Sequence, residues 1–327
     1  MLHIQTILHP TDFSASARAA LAQALFLARR YEATLHLLHV TPLLGDDPLR
    51  GAFEAGIDEE AFYRRQWEAA DRQLQALVAE AEGGGVPIKR VTTRGNAPGD
   101  VIDAYARAED VDLIVMGTHG RRGLRHMLLG SVAEEVVRRA DAPVMTVRAP
   151  EDAAPPADVK VDRILAPIDF SAASLRALRY ARELAALYGA SVDVLHIIEP
   201  ARYPAFYQLD PAVSEDVLRP LEDVACSRLE ALFAQAGGPE APATFHARVG
   251  YPPRDLLEAA DALGTDLIVM ATHGLQGHRR FALGSVTERI VRGAPCPVFV
   301  TKPYGKSLLP AAFRAAVPVE ASGAQPT

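Results

Sequence analysis

Cysteine is nearly absent: the 327 residues hold two, Cys226 and Cys296, seventy positions apart and outside any CxxC pair. That spacing excludes a disulfide framework and a zinc site of the finger or ribbon kind. No other set of His, Cys and carboxylate residues has zinc or iron spacing, and no catalytic constellation is expected. Aromatic side chains make up 6% of the chain and tryptophan occurs once, as Trp67, so the core has to be built from alanine, leucine and valine. No window reaches the roughly eighteen apolar residues that a membrane helix requires. Basic charge is short as well, with 34 Lys and Arg against 41 Asp and Glu and a formal charge of −7. Nucleic acid needs a basic face to neutralise its phosphates and is not an expected partner. Met1 to Leu8 show neither a basic n-region nor a long apolar h-region, so a cytoplasmic protein is expected, neither exported nor membrane-bound.

What is present is an alternation of short apolar runs and alanine-rich helical stretches. The length is about twice that of a typical domain, which suggests two. In the first half, strands are expected from Ile4 to His9, Thr34 to Val40, Val86 to Arg94, Asp112 to Met116 and Ala142 to Val147. Helices are expected over Ala15 to Tyr31, Glu59 to Ala81 with Tyr63 and Trp67 as packing residues, Gly99 to Ala108, and from Ser131 onward. Gly83-Gly84-Gly85 marks a helix stop. Such β-α alternation predicts an α/β protein with a parallel sheet covered by helices on both faces.

One stretch organises this half. Asp112-Leu113-Ile114-Val115-Met116 is an aliphatic run without polar alternation, as expected of a strand buried on both faces. Gly117, Gly120, Gly130 and Ser131 follow with the spacing G-x2-G-x9-G-S. The glycines are expected to allow positive φ and close approach, and Gly130-Ser131 to open a helix whose first N–H groups attract an anion. Ser131 with Glu134, and Ser285 with Glu288, also read as S-x-x-E capping boxes. A cap and a phosphate contact are compatible at one helix end.

The pattern then repeats. Ile164 to Ser171 restates Ile7 to Ser14 at an offset of 157, with Asp-Phe-Ser in both, and Val194-Leu195-His196 restates Leu37-Leu38-His39 at the same offset. Asp266 to Gly274 restates Asp112 to Gly120 at 154, and Leu283-Gly284-Ser285-Val286 restates Leu129 to Val132. Near-constant offsets along the whole length imply tandem duplication of one domain. The expected domains are 1–148 and 159–303, joined by a Pro- and Ala-rich linker and followed by a tail, 304–327, disordered at its tip. Gly305-Lys306-Ser307 mimics the end of a Walker A loop, but Val300 stands where the first glycine is required.

Both halves resemble domains of the universal stress protein family. The resemblance implies two tandem Rossmann-like domains of the adenine nucleotide alpha hydrolase-like kind, each a five-stranded parallel sheet of order 3-2-1-4-5. For the ATP-binding branch it implies ATP, ADP or AMP, with Mg²⁺ arriving on the nucleotide, held across the carboxyl ends of the first and fourth strands. Gly117, Gly120, Gly130 and Ser131 fall on the phosphate positions, with Met116 and Val132 beside them. Asp12, flanked by Pro10 and Thr11, falls on the acidic position facing the nucleoside, and Val40 on the position whose backbone the adenine reads. In the second half the same places are Pro167, Ile168, Asp169, Ile197, Met270, Gly274, Gly284, Ser285 and Val286. Ala271 replaces the first glycine there, costing about 1 kcal/mol or more if that residue needs positive φ and little otherwise.

Other readings of these residues stay open. Asp12 and Asp169 would also serve as strand stops that receive turn N–H groups. His119 and His273 are able to donate to phosphate or to stand in solvent, and Arg121 and Arg122 to offset triphosphate charge. Leu275 and Gln276 replace those arginines in the second half, which predicts a weaker second site. His36, His39 and His196 lie on strands, where a histidine satisfied by the core is the simpler reading. Three functions compete: a nucleotide-binding stress-response protein acting through conformation or partner contact, a slow ATPase, and an interaction module whose second domain holds no nucleotide. The resemblance further implies pairing through the fifth strands, as an intramolecular pseudo-dimer and as a homodimer; short apolar edge strands are a hazard if left bare.

Overall fold

A computed structural model describes residues 1–43, 58–81, 85–118, 130–150, 158–199, 214–272, 283–310 and 313, with the side chains of 214–218 left out. The chain divides into two compact units: Ile4–Val159, and Lys160–Thr327 together with Met1–His3.

In the first unit the order is β1 (Thr6–Pro10), α1 (Ala15–Tyr31), β2 (Thr34–Pro42), α2 (Glu59–Ala81), β3 (Ile88–Gly95), α3 (Pro98–Ala108), β4 (Leu113–Gly117), α4 (Ser131–Arg139) and β5 (Val144–Val147). The strands are all parallel and lie in the order β3-β2-β1-β4-β5. The second unit repeats this with β6 (Arg163–Pro167), α5 (Ala172–Tyr188), β7 (Ser191–Ile198), α6 (Ser214–Ala236), β8 (Ala243–Val249), α7 (Pro252–Ala262), β9 (Leu267–Ala271), α8 (Ser285–Gly293) and β10 (Val298–Thr301). Its order is β8-β7-β6-β9-β10, again parallel. Each unit is therefore a five-stranded sheet of order 3-2-1-4-5, as the resemblance implied.

The aliphatic runs occupy the sheet centres because both faces are covered. Leu113, Ile114 and Val115 are fully buried, as are Ile7, Leu8, Leu35, Leu37 and Leu38. Burial of each such side chain is worth about 1.5–3 kcal/mol. Helix α1 starts where Ser14 Oγ accepts the Ala17 N–H at 3.2 Å, and it stops at Glu32, left-handed at φ 54. Its buried stripe is mostly alanine: Ala17, Ala20, Ala24 and Ala28, with Leu21 and Leu27. Small side chains let the helix settle close to the sheet. A Cβ on Gly117 would lie 2.8 Å from the Ala17 nitrogen and the Ser16 carbonyl carbon, so this glycine is required by the approach of α1.

Carboxylates, buried at Asp112 and half-buried at Asp266, lock the start of the central strands. Asp112 Oδ2 accepts the N–H groups of Gln5 and Thr6 at 2.7 and 2.9 Å, just ahead of β1. Asp266 does the same for Asp162 and Arg163 at 2.8 and 3.0 Å. These bonds tie the entry of the first strand to the entry of the fourth across more than a hundred residues of chain.

One detail departs from the sequence expectations, and one, in the tail, adds to them; the tip of the tail lies outside the described residues. Trp67 is 43% exposed while Tyr63 is buried beneath Arg94, so only the tyrosine packs. Part of the tail is ordered: Leu308 and Leu309 are buried, and Leu308 N–H donates to Tyr180 Oη at 2.8 Å. Ser307, from the Walker-like tripeptide, lies 3.4 Å from the same hydroxyl. Cys296 is buried and its thiol is pushed up to about 12 by that burial, which makes it inert.

His9, fully buried on β1, gives the first unit a sensitivity to acid. Burial drives its pKa from 6.5 down to about 4, while its bond to the Val115 carbonyl and the charge of Asp12 act in the other direction. Unfolded, the ring titrates near 6.5. Between these values the unfolded chain binds the extra proton, so this contribution is intact above about pH 6.5 and is lost as pH falls toward 4. The full loss is on the order of 3 kcal/mol. Urea unfolding followed by Trp67 fluorescence is expected to show this decline, and His9→Ala, the residue found at the matching Ala166, is expected to flatten it. In the same assay at neutral pH, Asp112→Ala is expected to cost roughly 1–3 kcal/mol, because it removes two bonds that the buried carboxylate accepts from the part-buried N–H groups of Gln5 and Thr6.

Candidate functional site

The site begins where β1 leaves β4. These strands pair through only Ile7↔Leu113 and Leu8↔Ile114, whereas β1 stays with β2 as far as Pro10↔Leu38. Beyond Leu8 the ladder to β4 ends, and His9 Nδ1 sits 2.8 Å from the Val115 carbonyl oxygen, covering an acceptor at that point. A carbonyl only accepts, so Nδ1 carries the proton. β6 parts from β9 in the same way, after Ile164↔Leu267 and Leu165↔Ile268. A crevice at the carboxyl ends of two strands, where the strand order reverses, is the usual ligand position in an open parallel sheet.

One wall is the turn after β1. Asp12 Oδ1 accepts the Ser14 N–H at 3.1 Å, and Thr11 Oγ1 accepts the Phe13 N–H at 3.1 Å. Phe13 is left-handed at φ 66, a conformation that costs a residue with a Cβ about 1–2 kcal/mol. In the second unit Asp169 Oδ1 accepts the Ser171 N–H at 3.0 Å and Phe170 has φ 63. Asp12 and Asp169 thus do organise turns, as one reading of the sequence held.

The other wall is the start of α4. Thr118 N–H donates to Val147 O, and Gly130 N–H donates back to Thr118 O at 2.8 Å. The chain therefore leaves β4 and returns to α4 at one hydrogen bond, repeated by Gly284 N–H to Thr272 O at 3.0 Å. Gly130, at φ −59, is the N-cap, Ser131 the first helical residue, and among the described residues no side chain caps this end. Gly284, at φ −61, caps α8 in the same uncapped fashion. Two expectations are corrected here. The S-x-x-E boxes do not form, because each serine lies one position inside the helix. Nor do Gly117 and Gly130 use positive φ: Gly117 makes room for α1, and Ala271, in the matching place, is likewise outside the positive-φ region.

The remaining positions gather around these walls. Val40 is half-buried on β2 next to β1 and pairs with Thr93. Pro10 and Thr11 close β1, Met116 is buried on β4, and Val132 follows Ser131 in the first turn of α4. Pro167, Ile168, Ile197, Met270, Ser285 and Val286 hold the matching places in the second unit. His119, Gly120, Arg121, Arg122, His273, Gly274, Leu275 and Gln276 lie outside the described residues. Among the described residues no three His, Cys, Asp or Glu side chains are grouped to hold a metal. The first turn of α4, with glycine at its cap and no capping side chain among the described residues, fits the phosphates of a nucleotide.

Sequence reasoning left His39 and His196 as ordinary strand residues. The structure places His39 Nδ1 2.8 Å from the Thr11 carbonyl oxygen and His196 Nδ1 2.7 Å from that of Ile168. The repeated Leu-His pair was the available signal. His36, by contrast, faces Tyr105 Oη at 3.0 Å, and its pKa is lowered by burial first and by Lys89 second.

Comparison with known proteins agrees with this architecture. The sequence profile of the Universal stress protein family matches residues 3–148 and again 160–302. A universal stress protein of Mycolicibacterium smegmatis is 28% identical over 303 residues, covering 91% of this chain and 97% of that protein. One from Methanocaldococcus jannaschii is 34% identical over 148 residues, covering 44% of this chain and 82% of its own. Among solved structures, a universal stress protein from Archaeoglobus fulgidus DSM 4304 superimposes with a TM-score of 0.65 at 24% identity, covering 93% of this chain and 99% of that one. Matched twice by the family's sequence profile, once in each half, this chain belongs to the universal stress protein family as a tandem two-domain member.

Proposed function

We propose that the crevice of the first unit binds ATP or a related adenine nucleotide, ADP or AMP, and that the protein acts in the stress response through the conformation or partner contact this binding favours. The observation that carries the reading is the start of α4: a glycine cap, no capping side chain among the described residues, and a position beside the Asp12 turn where β1 and β4 separate. Free N–H groups and the positive end of a helix favour a phosphate. Asp12 and the backbone at Val40 would meet the nucleoside, and Mg²⁺ would enter with a triphosphate. His119, Gly120 and Arg121 would complete the phosphate side.

Binding fits better than turnover. Hydrolysis requires a group to orient water and an acid to anchor the metal near the γ-phosphate. Residues 117–131 and 271–285 contain no Asp or Glu. A binder works by differential affinity: the nucleotide favours whichever arrangement of the loop holds it more tightly. In this reading each domain, 1–148 or 159–303, is one binding unit, and the second is the weaker because Leu275 and Gln276 replace two arginines. The protein is taken to be cytoplasmic and homodimeric, and among the described residues no helix is long and apolar enough to cross a membrane.

The test uses the cap itself. Aspartate is a favoured N-cap, so Gly130→Asp is expected to keep α4 folded, by about 1 kcal/mol relative to an apolar residue, while its carboxylate occupies the N–H groups and repels phosphate. Purified wild-type protein is expected to release adenine nucleotide on denaturation, read by mass spectrometry. Gly130→Asp is expected to release much less, and to weaken non-hydrolysable ATP at least tenfold by calorimetry. Equal yields from the wild type and a Gly130→Asp/Gly284→Asp double variant would end the proposal.

A further inference from the structure

The last bond between β1 and β2 runs from Thr11 N–H to Leu38 O at 2.9 Å, after which the chain turns out of the sheet toward α1. His39, the next residue on β2, takes over from the ladder by donating Nδ1–H to the Thr11 carbonyl at 2.8 Å. Its ring also lies against Phe13, with centroids 4.8 Å apart and planes at 32°. One side chain thus holds both sides of Asp12: the carbonyl before it and the aromatic ring after it. Phe13 is the residue held in the left-handed region.

The second unit repeats every part. His196 donates to the Ile168 carbonyl at 2.7 Å, its ring lies 4.6 Å from that of Phe170, and Phe170 is left-handed. There Arg228, on α6, adds a further clamp 4.3 Å over the Phe170 ring. Strained backbone persists only where its surroundings over-determine it, and such positions cluster at binding sites. Here the surroundings are identified: a histidine from the neighbouring strand, an aspartate closing the turn and a serine capping the helix.

We propose that His39 and His196 are positioning residues that hold the Asp-Phe-Ser turns in their left-handed form and thereby set the carboxylates of Asp12 and Asp169 for the nucleoside. The role rests on the nucleotide reading above; neither histidine need touch the ligand. Without the ring, Phe13 relaxes out of the left-handed region, the Asp12–Ser14 bond opens and the carboxylate is no longer pre-set, so ordering it is charged against binding.

The experiment uses the full chain carrying Gly284→Asp, so that only the first site titrates with ATP. Amide hydrogen exchange at Ser14, read by mass spectrometry, reports the turn without ligand, and calorimetry with ATP reports the site. His39→Ala is expected to lower both Ser14 protection and ATP affinity about tenfold or more at temperatures where circular dichroism shows the fold intact. His39→Asn, whose amide nitrogen falls close to the place of Nδ1, is expected to restore most of both. In a Phe13→Gly background, where the left-handed conformation is free of strain, losing His39 is expected to matter several-fold less. A His39→Ala protein that melts earlier, yet keeps wild-type Ser14 protection and ATP affinity while folded, would overturn the proposal by reducing the ring to packing. If the chain with His39 intact binds no ATP, the nucleotide reading falls by itself, and Ser14 exchange still decides whether His39 holds the turn.

Discussion

The separation of the first strand from the fourth, β1 from β4 and β6 from β9, governs both units. A central strand in a parallel sheet is normally bonded to both neighbours along its length, since any amide left over in the interior has lost water without replacement. Here the partnership with β4 lasts two residue pairs and that with β2 lasts five. The unmatched groups have to be satisfied by something other than a strand. In the first unit His9 covers the Val115 carbonyl and His39 the Thr11 carbonyl. Both histidines stand in for strand backbone where the sheet opens, and the proposed site occupies the space so created.

The same frame is built with different materials in the two halves. His9 is matched by Ala166, Thr11 by Ile168, Thr41 by Ile198 and Gly117 by Ala271, so the second crevice is the more apolar and lacks the buried titrating ring. Beneath the sheet, His36 with Tyr105 is matched by Asp193, a buried carboxylate held by Arg163 and by His246 at 2.9 Å. What both halves retain are the elements that fix backbone path: the aspartate ahead of the fourth strand, the left-handed phenylalanine, the serine cap and the glycine cap. Side chains that line the space have diverged, while those that shape the chain have not.

Much of this was legible in the residues. The aliphatic run at Leu113–Met116 announced a doubly buried strand, and the offsets of 154 and 157 announced the duplication without any three-dimensional information. Strand order, in contrast, came from the resemblance, because apolar runs do not state their neighbours. The errors were of the kind local pattern cannot avoid. S-x-x-E looks the same whether serine is the cap or the first helical residue, and here glycine took the cap. The spacing of Gly117 suggested loop freedom, whereas its reason is the nitrogen of Ala17, a hundred residues away in sequence. His39 carried no sign of its partner, since Thr11 O and Phe13 reach it only once β1 and β2 are side by side.

The bond from Gly130 N–H to Thr118 O has an evolutionary corollary. Residues 119–129 begin and end at one point, so insertions, deletions or exchanges among them leave the sheet and the helix origin where they were. That stretch is a cassette: Gly120-Arg121-Arg122 in one half has become Gly274-Leu275-Gln276 in the other, between strand and helix ends that keep the same hydrogen bond. A duplicated gene segment with such a cassette is free to change the charge of this stretch in one half without refolding either.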